Sequence, residues 1–169
     1  YGGLNFVEFN KDDTVFTNPI ICKKQTIKDL WSRVLVFYTG LTRSASPLLK
    51  RQGDELKINA AKQSAMKRMV ELARLTRDDL QSNCLDRVGE YLHENWELKK
   101  SMGEGISSAE IDQWYEKARV AGAQGGKLLG AGFGGFLMFY ADPDQHENIK
   151  KSLIDVINKI TLLLLSTYK

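Results

Sequence analysis

The sequence predicts an α+β fold, a two-layer sandwich in which a mainly antiparallel sheet carries helices packed on one face. Short runs rich in aromatic and branched apolar residues stand next to turn residues near both ends of the chain, which favours strands that pair locally. Between them, from about residue 54 to residue 121, apolar residues recur with the period of a helix. The 169 residues are enough to bury a core, and residues 1–169 are predicted to form a single domain.

The first part of the chain predicts a β-hairpin and then a stronger strand. Residues 4–9 form a short apolar run, and residues 10–13 (Asn-Lys-Asp-Asp) are turn formers. Residues 14–17 are predicted to form the second strand of the hairpin. Residues 33–38 are mostly apolar, which is typical of a strand that is buried on both faces. A polar loop, residues 39–46, follows the carboxyl end of that strand.

Hydrophobic periodicity predicts three helices in the middle of the chain. The first begins near Asp54, and the second runs from residue 78 to residue 100. The third opens where Ser107 at the N-cap and Glu110 three residues later have the spacing of a capping box. Gly122 is placed to end this helix.

The C-terminal part predicts a strand, a glycine loop, a second strand, a helix and a final strand. Residues 127–129 and 136–140 are the strands on either side of the loop at residues 130–135. The helix begins after residues 142–144 (Asp-Pro-Asp), and residues 161–165 are predicted to form the last strand.

The composition argues against several classes of partner. Lys and Arg number 24 against 21 Asp and Glu, and the surplus of +3 is scattered, so no nucleic-acid partner is expected. Cys22 and Cys84 have no metal-ligand spacing around them, so we predict neither a disulfide framework nor a metal site, and we expect a reducing cytoplasm. No apolar run reaches the roughly 20 residues that span a bilayer, so no membrane partner is expected.

The glycine loop is the most informative stretch of the sequence. Four of its six residues, from Gly130 to Gly135, are glycine. Glycine loses more backbone entropy on folding than any other residue, so such a cluster needs a reason. One reason is a tight turn between two strands, and the other is a close approach of backbone N–H groups to an anion, usually phosphate. Four glycines exceed what a hairpin requires, which favours the phosphate interpretation.

Two familiar phosphate-binding motifs do not fit this loop. Gly130, Gly132 and Gly135 satisfy G-x-G-x-x-G, but residues 136–140 are β-like, whereas a dinucleotide-binding loop leads directly into a helix. A P-loop would place its lysine at Lys127, but the sequence has Ala at position 121 and Leu at position 128.

Residues 127–135 (Lys-Leu-Leu-Gly-Ala-Gly-Phe-Gly-Gly) resemble the third motif of the GHMP kinases, a family of small-molecule kinases. The resemblance implies a ferredoxin-like C-terminal domain whose glycine loop closes near the nucleotide phosphates. Residues 1–9, 37–45 and 93–100 resemble the heptose 7-phosphate kinase branch. That branch implies an ATP- and Mg²⁺-dependent transfer of phosphate to the anomeric hydroxyl of the sugar phosphate. Two alternatives remain open: a galactose or fucose kinase of the same family, and a non-catalytic module for sugar-phosphate binding or oligomerisation.

The resemblance also implies that an N-terminal half is absent from this sequence. The chain begins at Tyr1, inside patterned sequence, so we expect it to be a piece of a longer chain. In the family, the main ATP phosphate loop and the catalytic Asp precede the segment that begins here. We therefore expect no catalytic residue in this chain, an inactive fragment in isolation, and ATP and Mg²⁺ bound mainly by the N-terminal half. The expected partners are that half and a sugar phosphate, and the oligomeric state is left open.

Candidate phosphate-binding groups follow from the loop. The resemblance implies that backbone N–H groups of the loop lie near phosphate or substrate, with a purely structural turn as the alternative; these residues are Gly130, Ala131, Gly132, Gly134 and Gly135. Lys127 either neutralises charge beside the loop or is a solvated lysine at the start of a strand.

Candidate sugar-phosphate residues lie in two other places. Thr42, Arg43 and Ser44 follow the strand at residues 33–38, and the planar fork of an arginine suits a sugar phosphate, although a surface salt bridge is the alternative.

Lys99 lies three residues after Trp96 and therefore on the same face of the second helix. The resemblance motivates a role for Lys99 at the 7-phosphate, whereas Trp96 fits the core better than a sugar-binding surface. Lys100 is expected to face solvent, and no role is assigned to His93 or His146.

Overall fold

The computed structural model describes residues 2–40, 59–130 and 134–154, and within them it confirms the α+β fold. Strands β1 and β2 are followed by helix α1, strand β3, three further helices, strands β4 and β5, a 3₁₀ turn at Pro143–Gln145 and a last helix. Their bounds are β1 Asn5–Phe9, β2 Val15–Pro19, α1 Lys24–Ser32, β3 Val34–Tyr38, α2 Ala60–Gln81, α3 Val88–Ser101, α4 Ala109–Val120, β4 Gly125–Leu129, β5 Phe136–Tyr140 and α5 His146–Ser152.

The predicted hairpin is present at the start of the chain. Strands β1 and β2 pair antiparallel, from Asn5 opposite Pro19 to Phe9 opposite Val15. The Asp12 carboxylate closes the turn by accepting hydrogen bonds from the hydroxyl (2.6 Å) and the N–H (3.2 Å) of Thr14. The same hydrogen bonds lower the pKa of Asp12.

The central sheet is antiparallel, as predicted, with the strand order β3-β5-β4. Side chains alternate between its faces, and the residues of one face are buried in the main core. Leu128 of β4, Phe37 of β3, and Leu137 and Phe139 of β5 form this buried face. Helices α4 and α5 cover it with Ile111, Trp114, Tyr115, Ala118 and Ile149.

The prediction that the third strand is buried on both faces is wrong. Val36 points to the other side of the sheet and is 52% exposed, and Phe136, near it on β5, is 46% exposed. At the opposite end of that face, Tyr140 is buried against Leu85 and Val88. The apolar run in β3 therefore reflects one buried face and one face that is covered only in part.

The boundary between the first two predicted helices is also wrong. Helix α2 continues to Gln81, and α3 begins only at Val88. Asn83 between them adopts a left-handed backbone with φ of 61°, which ends a helix. Its Oδ1 accepts hydrogen bonds from the Lys23 N–H (2.7 Å) and the Thr26 hydroxyl (2.9 Å), which fixes the start of α1.

The predicted start of α4 is wrong by one residue, whereas its predicted end is correct. Ser108, and not Ser107, is the N-cap of α4, and its hydroxyl accepts from the Ile111 N–H at 3.3 Å. Ser107 donates to Asp112 instead. Gly122 follows the helix with φ of +111°, which confirms the predicted stop. The start of the first predicted helix near residue 54 and the last predicted strand, residues 161–165, lie outside the described residues.

Helix α3 packs directly on strand β4 through glycine. A Cβ at Gly125 would meet the carbonyl oxygen of Gly89 and the backbone nitrogen of His93 (2.8 Å). A Cβ at Gly126, on the other face of β4, would meet the Met138 carbonyl oxygen and the ring of Phe139. The backbones of α3 and β4 are thus in contact, and no larger residue fits between them without movement.

We predict that Gly125→Ala lowers the free energy of unfolding by about 1–3 kcal/mol, because the added methyl group displaces α3 from β4. Urea denaturation measures the change. Gly2→Ala is the matched control, since nothing lies within 4 Å of a Cβ at Gly2. Equal stability of the two variants would contradict the close packing.

Candidate functional site

The glycine loop connects β4 to β5 at one end of the central sheet. Leu129 and Phe136, the last pair of these strands, lie opposite each other. Gly130 and Gly135 both have positive φ angles, +131° and +111°. A Cβ at Gly135 would also meet the Leu129 carbonyl oxygen. The turn itself therefore requires glycine at these two positions, whereas Ala131 and Gly132 lie outside the described residues.

Thr39 ties the loop to the end of β3. This residue is fully buried, and its N–H and hydroxyl both donate to the Gly135 carbonyl oxygen at 2.9 Å. The Gly135 N–H donates in return to the Thr39 hydroxyl at 3.1 Å. A ligand that contacts this N–H would have to replace the hydrogen bond. Together, these hydrogen bonds between Thr39 and Gly135 form a clamp that holds the β5 end of the loop in place.

Thr39 was not predicted as a site residue. The sequence placed it in a polar loop after a strand, and a threonine there is unremarkable on its own. Its role follows only from the antiparallel pairing of β3 with β5, which brings it next to Gly135. Thr42, Arg43 and Ser44, the predicted sugar-phosphate residues of the same loop, lie outside the described residues.

Lys127 and Lys99 lie on the strand and the helix that pack together at Gly125. Lys127 lies in the middle of β4, and Lys99 lies in the last turn of α3. Both side chains are partly buried. Burial lowers the pKa of Lys99, and the positive charge of Lys127 lowers it further. Among the described residues, neither lysine forms an ion pair with a carboxylate.

The neighbouring positions on α3 have structural roles. Trp96 is buried in the main core next to Tyr115, which confirms the interpretation of this residue as core. The expectation that Lys100 faces solvent is wrong. Its ammonium pairs with Glu97 at 2.8 Å and Asp112 at 3.8 Å and lies near the rings of Trp96 and Tyr115.

His93 joins α3 to α4. Its Nδ1 lies 2.9 Å from the Tyr115 hydroxyl, and burial raises the pKa of that tyrosine. Arg68 of α2 holds the outer side of α3 by donating from Nε (2.6 Å) and Nη2 (2.9 Å) to the Glu94 carboxylate, which lowers the pKa of Glu94. Helix α3, which carries Lys99, is thus fixed from several sides.

Residues 2–40, 59–130 and 134–154 contain no group of three or more His, Cys, Asp or Glu side chains that could hold a metal ion. Within the same residues, no helix is both long enough and apolar enough to cross a membrane. The described site offers backbone amides and lysine ammonium groups, and such groups suit phosphate.

Comparison with known proteins identifies related kinases. Residues 76–159 match the family model described as GHMP kinases C terminal. The D-glycero-alpha-D-manno-heptose 7-phosphate kinase of Campylobacter jejuni is 32% identical over 160 residues, which cover 90% of this chain and 45% of that protein. The galactokinase of Pyrococcus furiosus is 27% identical over 173 residues, which cover 85% of this chain and 48% of that protein.

Among solved structures, the mevalonate kinase of L. major in complex with R-mevalonate has the same fold. Its TM-score is 0.74 at 23% identity, over 92% of this chain and 45% of that chain. The chain spans about half the length of these two curated relatives.

We predict that Thr39→Val lowers the free energy of unfolding by about 1–3 kcal/mol, because the partly buried Gly135 N–H then lacks its acceptor. Urea denaturation followed by circular dichroism measures this loss. Thr39→Ser is the control, since it keeps the hydroxyl and should lose less. A valine variant as stable as the wild type would contradict the clamp.

Proposed function

We propose that this chain, whose residues 76–159 match the model of GHMP kinases C terminal, is the C-terminal half of an ATP-dependent sugar kinase that phosphorylates the anomeric hydroxyl of a heptose 7-phosphate. The observation that supports this substrate most is the similarity to the heptose 7-phosphate kinase of Campylobacter jejuni, which extends over 90% of the chain. As part of the proposal, residues 1–169 form one domain that works together with an N-terminal half.

In this proposal, bound ATP and Mg²⁺ supply the γ-phosphoryl group and neutralise its charge. The described residues offer no carboxylate cluster for the metal, so the N-terminal half would hold most of both. This chain contributes the glycine loop, whose amides at residues 130–135 lie near the phosphates, and the cations beside it. Phosphoryl transfer depends mainly on positioning and charge stabilisation, so a domain without the catalytic base still contributes to the rate.

The hairpin offers a surface for the N-terminal half. Val7 and Phe9 of β1 and Val15 of β2, which is opposite Phe9, lie on one face of the hairpin and are exposed, Phe9 to 80%. Contiguous exposed apolar surface marks an interaction site in a soluble protein. We propose that the N-terminal half covers it in the complete kinase.

The proposed location is the cytoplasm. Cys22 and Cys84 are both free thiols, which suits a reducing compartment.

A galactose- or fucose-type kinase is the second candidate, favoured by the similarity to the Pyrococcus furiosus galactokinase. The two candidates differ in whether the sugar carries a phosphate of its own. A site built for a phosphorylated sugar leaves buried cations unpaired when that phosphate is missing, and the resulting discrimination is large.

We predict that the complete kinase prefers heptose 7-phosphate to the same heptose without phosphate by at least about 100-fold in kcat/KM. A coupled assay of ADP release, run with both heptoses, galactose and fucose at fixed ATP, measures this. A higher kcat/KM for galactose or fucose would favour the second candidate.

We further predict that Gly132→Val in the complete kinase lowers kcat/KM at least about tenfold, or about 1.4 kcal/mol, without unfolding the protein. The reason is that a branched side chain in the loop keeps the phosphates from the backbone amides. Gly2→Val is the matched control, because a Cβ at Gly2 meets open space. Unchanged kinetics in a folded Gly132→Val variant would show that the loop is not part of the active site.

A further inference from the structure

The pairing of β3 with β5 ends at Thr39 through a side chain. The Thr39 N–H donates to the Gly135 carbonyl oxygen at 2.9 Å, as in a regular antiparallel ladder. In such a ladder the Gly135 N–H would donate in return to the Thr39 carbonyl oxygen. It donates instead to the Thr39 hydroxyl at 3.1 Å, and this hydroxyl donates to the Gly135 carbonyl oxygen at 2.9 Å. A side chain thus replaces the backbone as the acceptor at the residue pair where the glycine loop meets the sheet.

This replacement fixes the direction in which the chain passes from the loop into β5. Gly135 has a φ of +111°, so the chain bends at the residue whose N–H and carbonyl oxygen Thr39 holds. The two ends of the loop are close together, since a Cβ at Gly130 would lie 3.1 Å from the Gly134 carbonyl oxygen. Thr39 is fully buried, and its branched Cβ restricts rotation about χ1. The end of the loop at Gly134 and Gly135 is therefore held to β3 by a side chain with little freedom to move.

We propose that Thr39 is a positioning residue for phosphoryl transfer, because it sets where the Gly134 and Gly135 end of the loop lies relative to the sheet. The proposal rests on the proposed function, in which the loop lies near the phosphates. The hydrogen bond from the Thr39 N–H is available to any residue except proline, so strand pairing does not require a hydroxyl here. The hydroxyl adds the two hydrogen bonds that hold Gly135 in its bent conformation. A displacement of about 1 Å at an active site can cost about 100-fold in rate.

A positioning role and a purely structural role predict different kinetics. Loss of the hydroxyl leaves the partly buried Gly135 N–H without its acceptor, so stability falls in both cases. If Thr39 only stabilises the fold, the folded molecules of a variant turn over at the wild-type rate. If Thr39 positions the loop, kcat of the folded enzyme falls. The KM for the sugar then changes little, because the lost interactions act in the transition state.

The test uses the complete kinase with Thr39→Val, which keeps the shape of the side chain and removes the hydroxyl. Thr39→Ser keeps the hydroxyl and tests for rescue. Thr26→Val is the matched control, because Thr26 is the other buried threonine among the described residues. Its hydroxyl donates to Asn83 Oδ1 at the start of α1 and not to the loop. Each variant is assayed at a temperature at which circular dichroism shows that it is folded.

We expect Thr39→Val to lower kcat at least about tenfold and to keep the KM for the sugar within about threefold, because a misplaced loop acts mainly on the transition state. Thr39→Ser should recover most of this loss. Thr26→Val should keep the wild-type kcat, although it also loses the hydrogen bond of a buried threonine. A kcat of Thr39→Val within about twofold of that of Thr26→Val would overturn the proposal.

A second measurement needs no turnover and therefore separates this proposal from the proposed function. Amide hydrogen exchange, followed by NMR in the complete kinase labelled with ¹⁵N-glycine, reports on Gly130 and Gly134, the two neighbouring ends of the loop. We expect Thr39→Val to speed their exchange at least about fivefold and Thr26→Val to leave it unchanged. Unchanged exchange in Thr39→Val would overturn the proposal even if the enzyme is active. Faster exchange in a kinase that phosphorylates no sugar would show that Thr39 holds the loop and that the proposed function is wrong.

Discussion

The backbone of helix α3 lies on the backbone of strand β4 at Gly89 and Gly125, and most features of the site depend on this contact. Side chains larger than hydrogen at these positions would separate the two elements. With the elements in contact, Trp96 reaches the main core and His93 reaches Tyr115. The positions of these α3 side chains are thus a consequence of backbone packing.

The glycine loop depends on a second constraint, the hydrogen bonds between Thr39 and Gly135. They attach the loop to β3 as well as to β5, so its end is supported by two neighbouring strands. Gly130 and Gly135 are explained by backbone conformation alone. The conformation of these two end glycines fits the interpretation of the cluster as a turn, and its interpretation as a phosphate loop stays a prediction.

Local signals in the sequence predicted much of this fold. The hairpin, the strands around the glycine loop and the helix stop at Gly122 follow from turn residues, strand alternation and glycine conformation. Helix α1 was not predicted, and the end of α2 was misplaced, since both depend on Asn83 and its long-range hydrogen bonds to Lys23 and Thr26. Hydrogen bonds between residues so far apart along the chain leave no local sequence pattern from which they could be predicted.

The candidate site, like the fold, combines features with a local sequence signal and features that depend on distant contacts. The loop and its lysines are predictions from the sequence, whereas the clamp at Thr39 and the ion pairs of Lys100 arise from elements that are distant along the chain. The partly exposed face of β3 was missed because an apolar run looks the same whether one or both faces are covered.

The central claim is that this domain works as one half of a larger kinase. The most direct test is the mass of the native protein in the cells that produce it, measured by blotting with an antibody raised against this chain. The account predicts a band at roughly twice 19.1 kDa, since the chain covers 45% and 48% of the heptose 7-phosphate kinase and the galactokinase that it resembles. A single band at 19.1 kDa would contradict it, because no N-terminal half would then be joined to the domain.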